Sequence, residues 1–161
     1  MNSKKRITAW QAMGLLLILG AGAMTVVKLR EPAVWRERLI DACATANRVI
    51  VDLPEPPPDP ESDRRRVRTQ YVDVHGSEKV QALLSSIELR PNWLNQYLMA
   101  KSAIVFRICH DEDVLASVSY HRGSHLRWRD DRWPGDGFLT EPGMAAIETW
   151  LTEQGITLTD P

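Results

Sequence analysis

His121 and His125 stand four residues apart, Asp136 follows eleven residues later, and Ser119 and Ser124 lie beside them, so imidazole, carboxylate and hydroxyl groups gather in one short stretch. On a helix an H-x-x-x-H spacing would align two zinc ligands on one face. Here it straddles a predicted hairpin turn with no third ligand at a specified position, and turn or surface histidines are the expectation. A hydrolase needs a hydroxyl activated by an oriented imidazole. No G-x-S-x-G elbow is present, and one serine falls on a strand and the other at the end of a turn. Asp130, Asp131 and Asp136 lack the alternating oxygen ligands of a calcium loop, and the glycines among them suit a turn. The run Arg64, Arg65, Arg66 and Arg68 could hold phosphate, but Glu55, Asp59, Glu61 and Asp63 stand just before it, which reads as a solvated loop. Trp128 and Trp150 are assigned to the core, with Trp133 left exposed in a loop. None of these patterns implies a cofactor or a metal.

The elements that must position these groups are most legible in the last sixty residues. Ile104, Phe106 and Ile108 alternate with Val105 and Arg107, and Val114, Ala116, Val118 and Tyr120 alternate with Ser117 and Ser119. Placing both apolar sets on one face pairs Ile108 with Val114 and leaves Cys109 to Asp113 as a five-residue loop. Leu126 and Trp128 join that face if Val118 opposes Leu126, which requires a three-residue turn, His121-Arg122-Gly123, with Gly123 in the left-handed region. Thr140 is placed to cap a helix burying Met144, Ile147, Trp150 and Leu151, and Gly155 with Ile156 predicts a Schellman ending. Upstream, Ser77 is placed to cap a helix with Val80, Leu83, Leu84 and Ile87 on one face, and residues 48–53 and 67–74 read as strands. Residues 93–101 fit a short helix or a packed turn. The prediction is an α+β fold: a mostly antiparallel sheet of about five strands, covered on one face by two or three helices.

Between Arg6 and Lys28 run 21 residues without a charge. As a helix they would span roughly 30 Å, the thickness of a hydrocarbon core. Residues 1–30 are therefore expected to be a short cytoplasmic tail and a transmembrane anchor, with a cleavable signal peptide ending near Ala21-Gly22-Ala23 as the rival and a cytosolic core helix as the remaining alternative. Lys4, Lys5 and Arg6 favour a tail on the cytoplasmic side, against the pull of Lys28, Arg30, Arg36 and Arg38. That orientation puts residues 31–161 outside a bacterial inner membrane as one exported domain, with a proline- and charge-rich loop at 54–66. Pro32 fits a first helical turn, after which Trp35, Leu39, Ala42, Cys43 and Ala46 recur at helical spacing, so a helix continues from the membrane into the domain. All 21 acidic residues lie after residue 30, against 15 of the 20 basic ones. The exported part is thus net acidic, which argues against a nucleic-acid partner. Cys43 and Cys109 could bridge in an oxidising compartment. Their places on a helical stripe and at a strand end favour two inert thiols over a bridge.

The stretch from His121 through Gly123, Leu126, Arg127, Trp128, Trp133, Gly135, Asp136, Leu139, Thr140, Trp150 and Leu151 to Gly155 resembles the C-terminal block of an uncharacterised family of small bacterial membrane-anchored proteins. In that block a His-His-Gly segment leads to Leu-Arg-Trp, Trp-x-Gly-Asp, Leu-Thr and a helix containing Trp-Leu. Arg122 replaces the second His, and the Cys-x-Cys pair of the preceding strand is absent, so no metal or thiol role carries over. The resemblance implies kinship with membrane-anchored proteins and no particular reaction.

The expected function is accordingly that of a membrane-anchored, non-catalytic module binding a protein or peptide, through the sheet's open face or the loop 129–137. His121, Arg127, Trp133 and Asp136 are its candidate binding residues, with Arg107 beside them. An envelope hydrolase or transferase using His121 with Asp136 is the alternative, and an inhibitor of an envelope enzyme is a third reading.

Overall fold

A computed structural model describes residues 9–53, 70–91, 104–121, 124–128 and 136–158. Within the first helix the side chains at 9–12, 14, 15 and 19 lie outside the described residues, as do the backbone and side chains of the predicted loop 54–66, the ambiguous stretch 93–101, Gly123 and Trp133.

The chain orders its elements as α1 (Ala9–Ala42), β1 (Arg48–Asp52), β2 (Tyr71–His75), α2 (Ser77–Ser86), β3 (Leu89–Arg90), β4 (Ile104–His110), β5 (Asp113–His121), β6 (His125–Trp128), β7 (Asp136–Leu139) and α3 (Glu141–Glu153). The strands form one sheet in the order β2-β1-β4-β5-β6-β7-β3, with every pairing antiparallel. The α+β class with helices on one face is as predicted. Among the described residues the strand count is seven rather than about five, because the chain forms two short strands, β3 and β7, in stretches too brief for alternation to register.

One face of the sheet carries the core. Val49 and Val51, Phe106 and Ile108, Ala116, Val118 and Tyr120, and Leu126 and Leu139 are buried against Trp35 and Leu39 of α1, Val80, Leu83 and Leu84 of α2, and Ile147, Trp150 and Leu151 of α3. Trp35 meets Trp128 edge to face at 6.0 Å, and Phe106 meets Trp150 likewise at 6.1 Å, joining helices to sheet by the ring geometry aromatic pairs favour. Gly137 in β7 is required by this packing, since a Cβ there would lie 3.1 Å from the Leu89 side chain and 3.4 Å from Trp35.

α1 is continuous through Pro32, which lies inside the helix and not in its first turn as predicted. Proline removes one backbone donor, a loss a long helix with bonds on both sides sustains. Beyond it Trp35, Leu39, Cys43 and Ala46 are buried as expected, while Ala42 is exposed. Nearer the N-terminus the same helix bears Leu16, Leu17, Ile18 and Met24 at 69–71% exposure, with Val26, Val27 and Leu29 above half. Among the described residues no helix is long and apolar enough to cross a membrane.

Both helix caps in the second half can be compared with their predictions. Thr140 caps α3 as expected, its hydroxyl accepting from Gly143 N at 3.1 Å. Gly155 at φ 77° and the bonds Gly155 N to Thr152 O and Ile156 N to Leu151 O complete the Schellman ending, with Ile156 buried. At α2 the cap is Gly76, not Ser77: its φ of 117° suits glycine, and its carbonyl accepts from Lys79 and Val80. Met144 is only partly buried.

The hairpins change register, and apart from Val114 the predicted apolar residues keep their face. Ile108 opposes Ala116, and a bulge after it pairs Cys109 with Val114 and His110 with Asp113, shrinking the turn to Asp111-Glu112. Asn47 causes this tight closure: its side chain accepts from Asp111 N at 2.9 Å and donates to Asp111 Oδ1 at 2.8 Å, holding Asp111 at φ 52°. The bulge turns Val114 out to 52% exposure. In the next hairpin Val118 opposes Trp128 and Tyr120 opposes Leu126, so the turn moves one residue along the chain. A shift of two in pairing leaves every side chain on its own face, because strands repeat every two residues.

Candidate functional site

His121 ends β5, His125 starts β6, Phe138 sits in β7 and Arg90 in β3, and each opposes the next directly across the sheet. They lie on the face away from the helices and make a stacked row. The His121 and His125 rings are 4.4 Å apart and 11° from parallel, His125 lies 5.7 Å from Phe138 at 28°, and the Arg90 guanidinium is 6.0 Å from the centre of the Phe138 ring. The next row along the strands places Ser119 opposite Arg127 and Arg127 opposite Asp136.

Arg127 and Asp136 form a two-pronged ion pair, Nε to Oδ1 at 2.7 Å and Nη2 to Oδ2 at 2.8 Å. The planar fork matches the carboxylate, and the Asp136 side chain is 2% exposed, so nearly all of that carboxylate's compensation comes from protein. Hydrogen bonding to Asp136 raises the Arg127 pKa further above its already high ordinary value.

His125 is wholly buried. Its Nδ1 meets Ser124 Oγ at 2.7 Å, and its Nε2 lies 3.5 Å from Asp136 Oδ2. The second distance is within ionic reach but does not make a hydrogen bond, and Nε2 has no hydrogen-bond partner among the described residues. Burial pushes the His125 pKa below the ordinary imidazole value; Asp136 opposes this, and His121 and Arg127 reinforce it. The ring is therefore held neutral at pH 7.

Hydroxyl, imidazole and carboxylate thus form a chain, Ser124 to His125 to Asp136, but the arrangement suits structure better than catalysis. The imidazole offers no exposed atom to a substrate, and both oxygens of Asp136 accept from Arg127. The imidazole facing Asp136 belongs to His125, whereas the sequence pointed to His121. Among the described residues no three His, Cys, Asp or Glu side chains are placed to hold a metal.

Of the predicted binding residues, the structure brings His121, Arg127 and Asp136 into one cluster, but His121 is 5% exposed and Asp136 lies beneath Arg127. Trp133 lies outside the described residues. Arg107 grips Asp52 with two bonds of 2.7 Å across β4 and β1, and Arg48 grips Asp73 at 2.7 and 2.8 Å across β1 and β2. Among the described residues three cross-strand Arg–Asp forks therefore mark the helix-free face. Strand alternation placed Arg107 and Arg127 there; their partners depended on register. The thiols of Cys43 and Cys109 are free and buried, as favoured from sequence, and burial pushes the Cys43 pKa up to about 12.

No family model, no curated protein and no solved structure matches the chain.

Proposed function

We propose that this protein is a membrane-tethered, non-catalytic interaction module, anchored through residues 7–27 with residues 31–161 on the extracytoplasmic side. The observation that carries the reading is the two-sided character of α1. Its last third is buried in the core through Trp35 and Leu39, while Leu16, Leu17, Ile18, Met24, Val26, Val27 and Leu29 stand exposed on the same continuous helix. Apolar surface of that extent calls for a cover, and a lipid phase supplies it for a run without charges.

The interaction surface is the helix-free face over β2, β1 and β4, where Tyr71 is 63% exposed and the forks of Arg48 and Arg107 present satisfied charges. The stacked row lies at the other end of the same face. A protein or peptide is the partner class, and the net acidic domain disfavours nucleic acid.

Alkaline carbonate extraction tests the tether: the full chain should stay in the membrane pellet, and recovery from a detergent-free soluble fraction would refute it. Protease added to spheroplasts should trim residues 29–161 and spare the basic tail. A photo-crosslinking residue at position 71 should capture a discrete partner that the same residue at the core position 126 does not; equal labelling from both would refute the surface assignment.

A further inference from the structure

We propose that the groove between α1 and the segment joining α2 to β3 seats one anionic phospholipid, its phosphate at Arg36 and an acyl chain along Pro32, Leu29 and Val26. This rests on the membrane reading above and adds a ligand to it. The groove holds about 430 Å³, within the range of small-molecule sites, and is walled by Leu29, Pro32, Ala33 and Arg36 on α1 and by Ile87 and Leu89 opposite.

The four α1 residues lie at i, i+3, i+4 and i+7, so they share one helical stripe, and Val26 extends that stripe towards the N-terminus. Val26 and Leu29 are each 54% exposed, so the apolar wall of the groove runs without a break onto the surface assigned to lipid. Arg36 stands seven residues past Leu29, about 10 Å along the axis on the side away from the uncharged run, so the cation lies at the headgroup end of the groove. Its Nε donates to the Ile87 carbonyl at 2.9 Å. That bond orients the guanidinium, and its two terminal amino groups have no partner among the described residues. Guanidinium recognises phosphate through such paired donors. Of the nearby acids, Glu31 is neutralised by Lys28 at 3.0 Å, and Glu88 on the opposite wall opposes the anion.

The test is native mass spectrometry of the full chain released from mild nonionic detergent with equal phosphatidylglycerol and phosphatidylcholine. The wild type should retain one phosphatidylglycerol in preference to phosphatidylcholine. Arg36→Gln should cut that preference by about tenfold, the loss expected for one charge-assisted contact. Arg36→Lys should keep part of it, Glu88→Gln should strengthen it, and Ala33→Trp, which fills the groove, should abolish retention. Equal retention of the two lipids by the wild type, or no change in Arg36→Gln and Ala33→Trp, overturns the groove while leaving the tether intact. Partition of the wild type into a detergent-free soluble fraction overturns both.

Discussion

Replacing His125 by Gln should flatten part of the protein's stability profile in mild acid. The native state holds this imidazole uncharged between His121 and Phe138, with burial the main cause of its lowered pKa. The unfolded chain binds the same proton with an ordinary pKa of about 6.5. At pH 7.5 neither state carries it; as pH falls through 6.5 the unfolded state takes up more protons, and folding is penalised until the native ring itself protonates. At pH 5.5, one unit below the unfolded pKa, the penalty reaches at most about 1.4 kcal/mol, or roughly 4 °C in Tm for a domain of this size. Asp136 at 3.5 Å moderates the loss by stabilising the charged ring, although Arg127 already engages both its oxygens. Urea unfolding of the full chain in nonionic detergent, followed by tryptophan fluorescence at pH 7.5 and 5.5, measures the effect as the difference between wild type and His125→Gln. If it is the same at the two pH values, the neutral buried imidazole is refuted.

Arg127→Ala should destabilise the domain by about 2–4 kcal/mol, since it strands a carboxylate that is almost fully buried, and adding Asp136→Asn should recover part of the loss; urea titration of both variants checks this. Gly143→Ala should cost roughly 1–3 kcal/mol, because a Cβ there would fall 2.6 Å from the Glu88 carbonyl oxygen, which a lowered Tm would report. With burial raising the pKa of both thiols, Cys43 and Cys109 should resist a thiol reagent at pH 8 in the native protein and both react in denaturant; absence of reaction in denaturant would reveal a bridge.

Arg127 and Asp136 show how far sequence alone reached towards the site. Both were candidates on residue type, but as separate exposed groups; their fork depends on β7 opposing β6, and β7 is four residues long with a glycine inside it. His125 was legible as a histidine near a turn and no more. Its stacking on His121 follows from the turn closing one residue later than predicted, which makes the two rings direct neighbours. The cap at Gly76 escaped for a related reason: Ser77 carries the usual capping chemistry, while the backbone conformation that starts α2 belongs to the residue before it.

What sequence determined by itself were the quantities carried by local periodicity and composition: which face of β4, β5 and β6 is apolar, where α3 begins and ends, the burial of Trp35, Leu39, Cys43 and Ala46, and the absence of charge from residue 7 to 27. The tertiary structure decided the sheet order, the bulge after Ile108, and which arginine meets which aspartate. The division has a physical cause. A side chain's face repeats every two or 3.6 residues and survives a register shift of two, whereas a cross-strand contact depends on residues far apart in the chain and changes partner with that same shift.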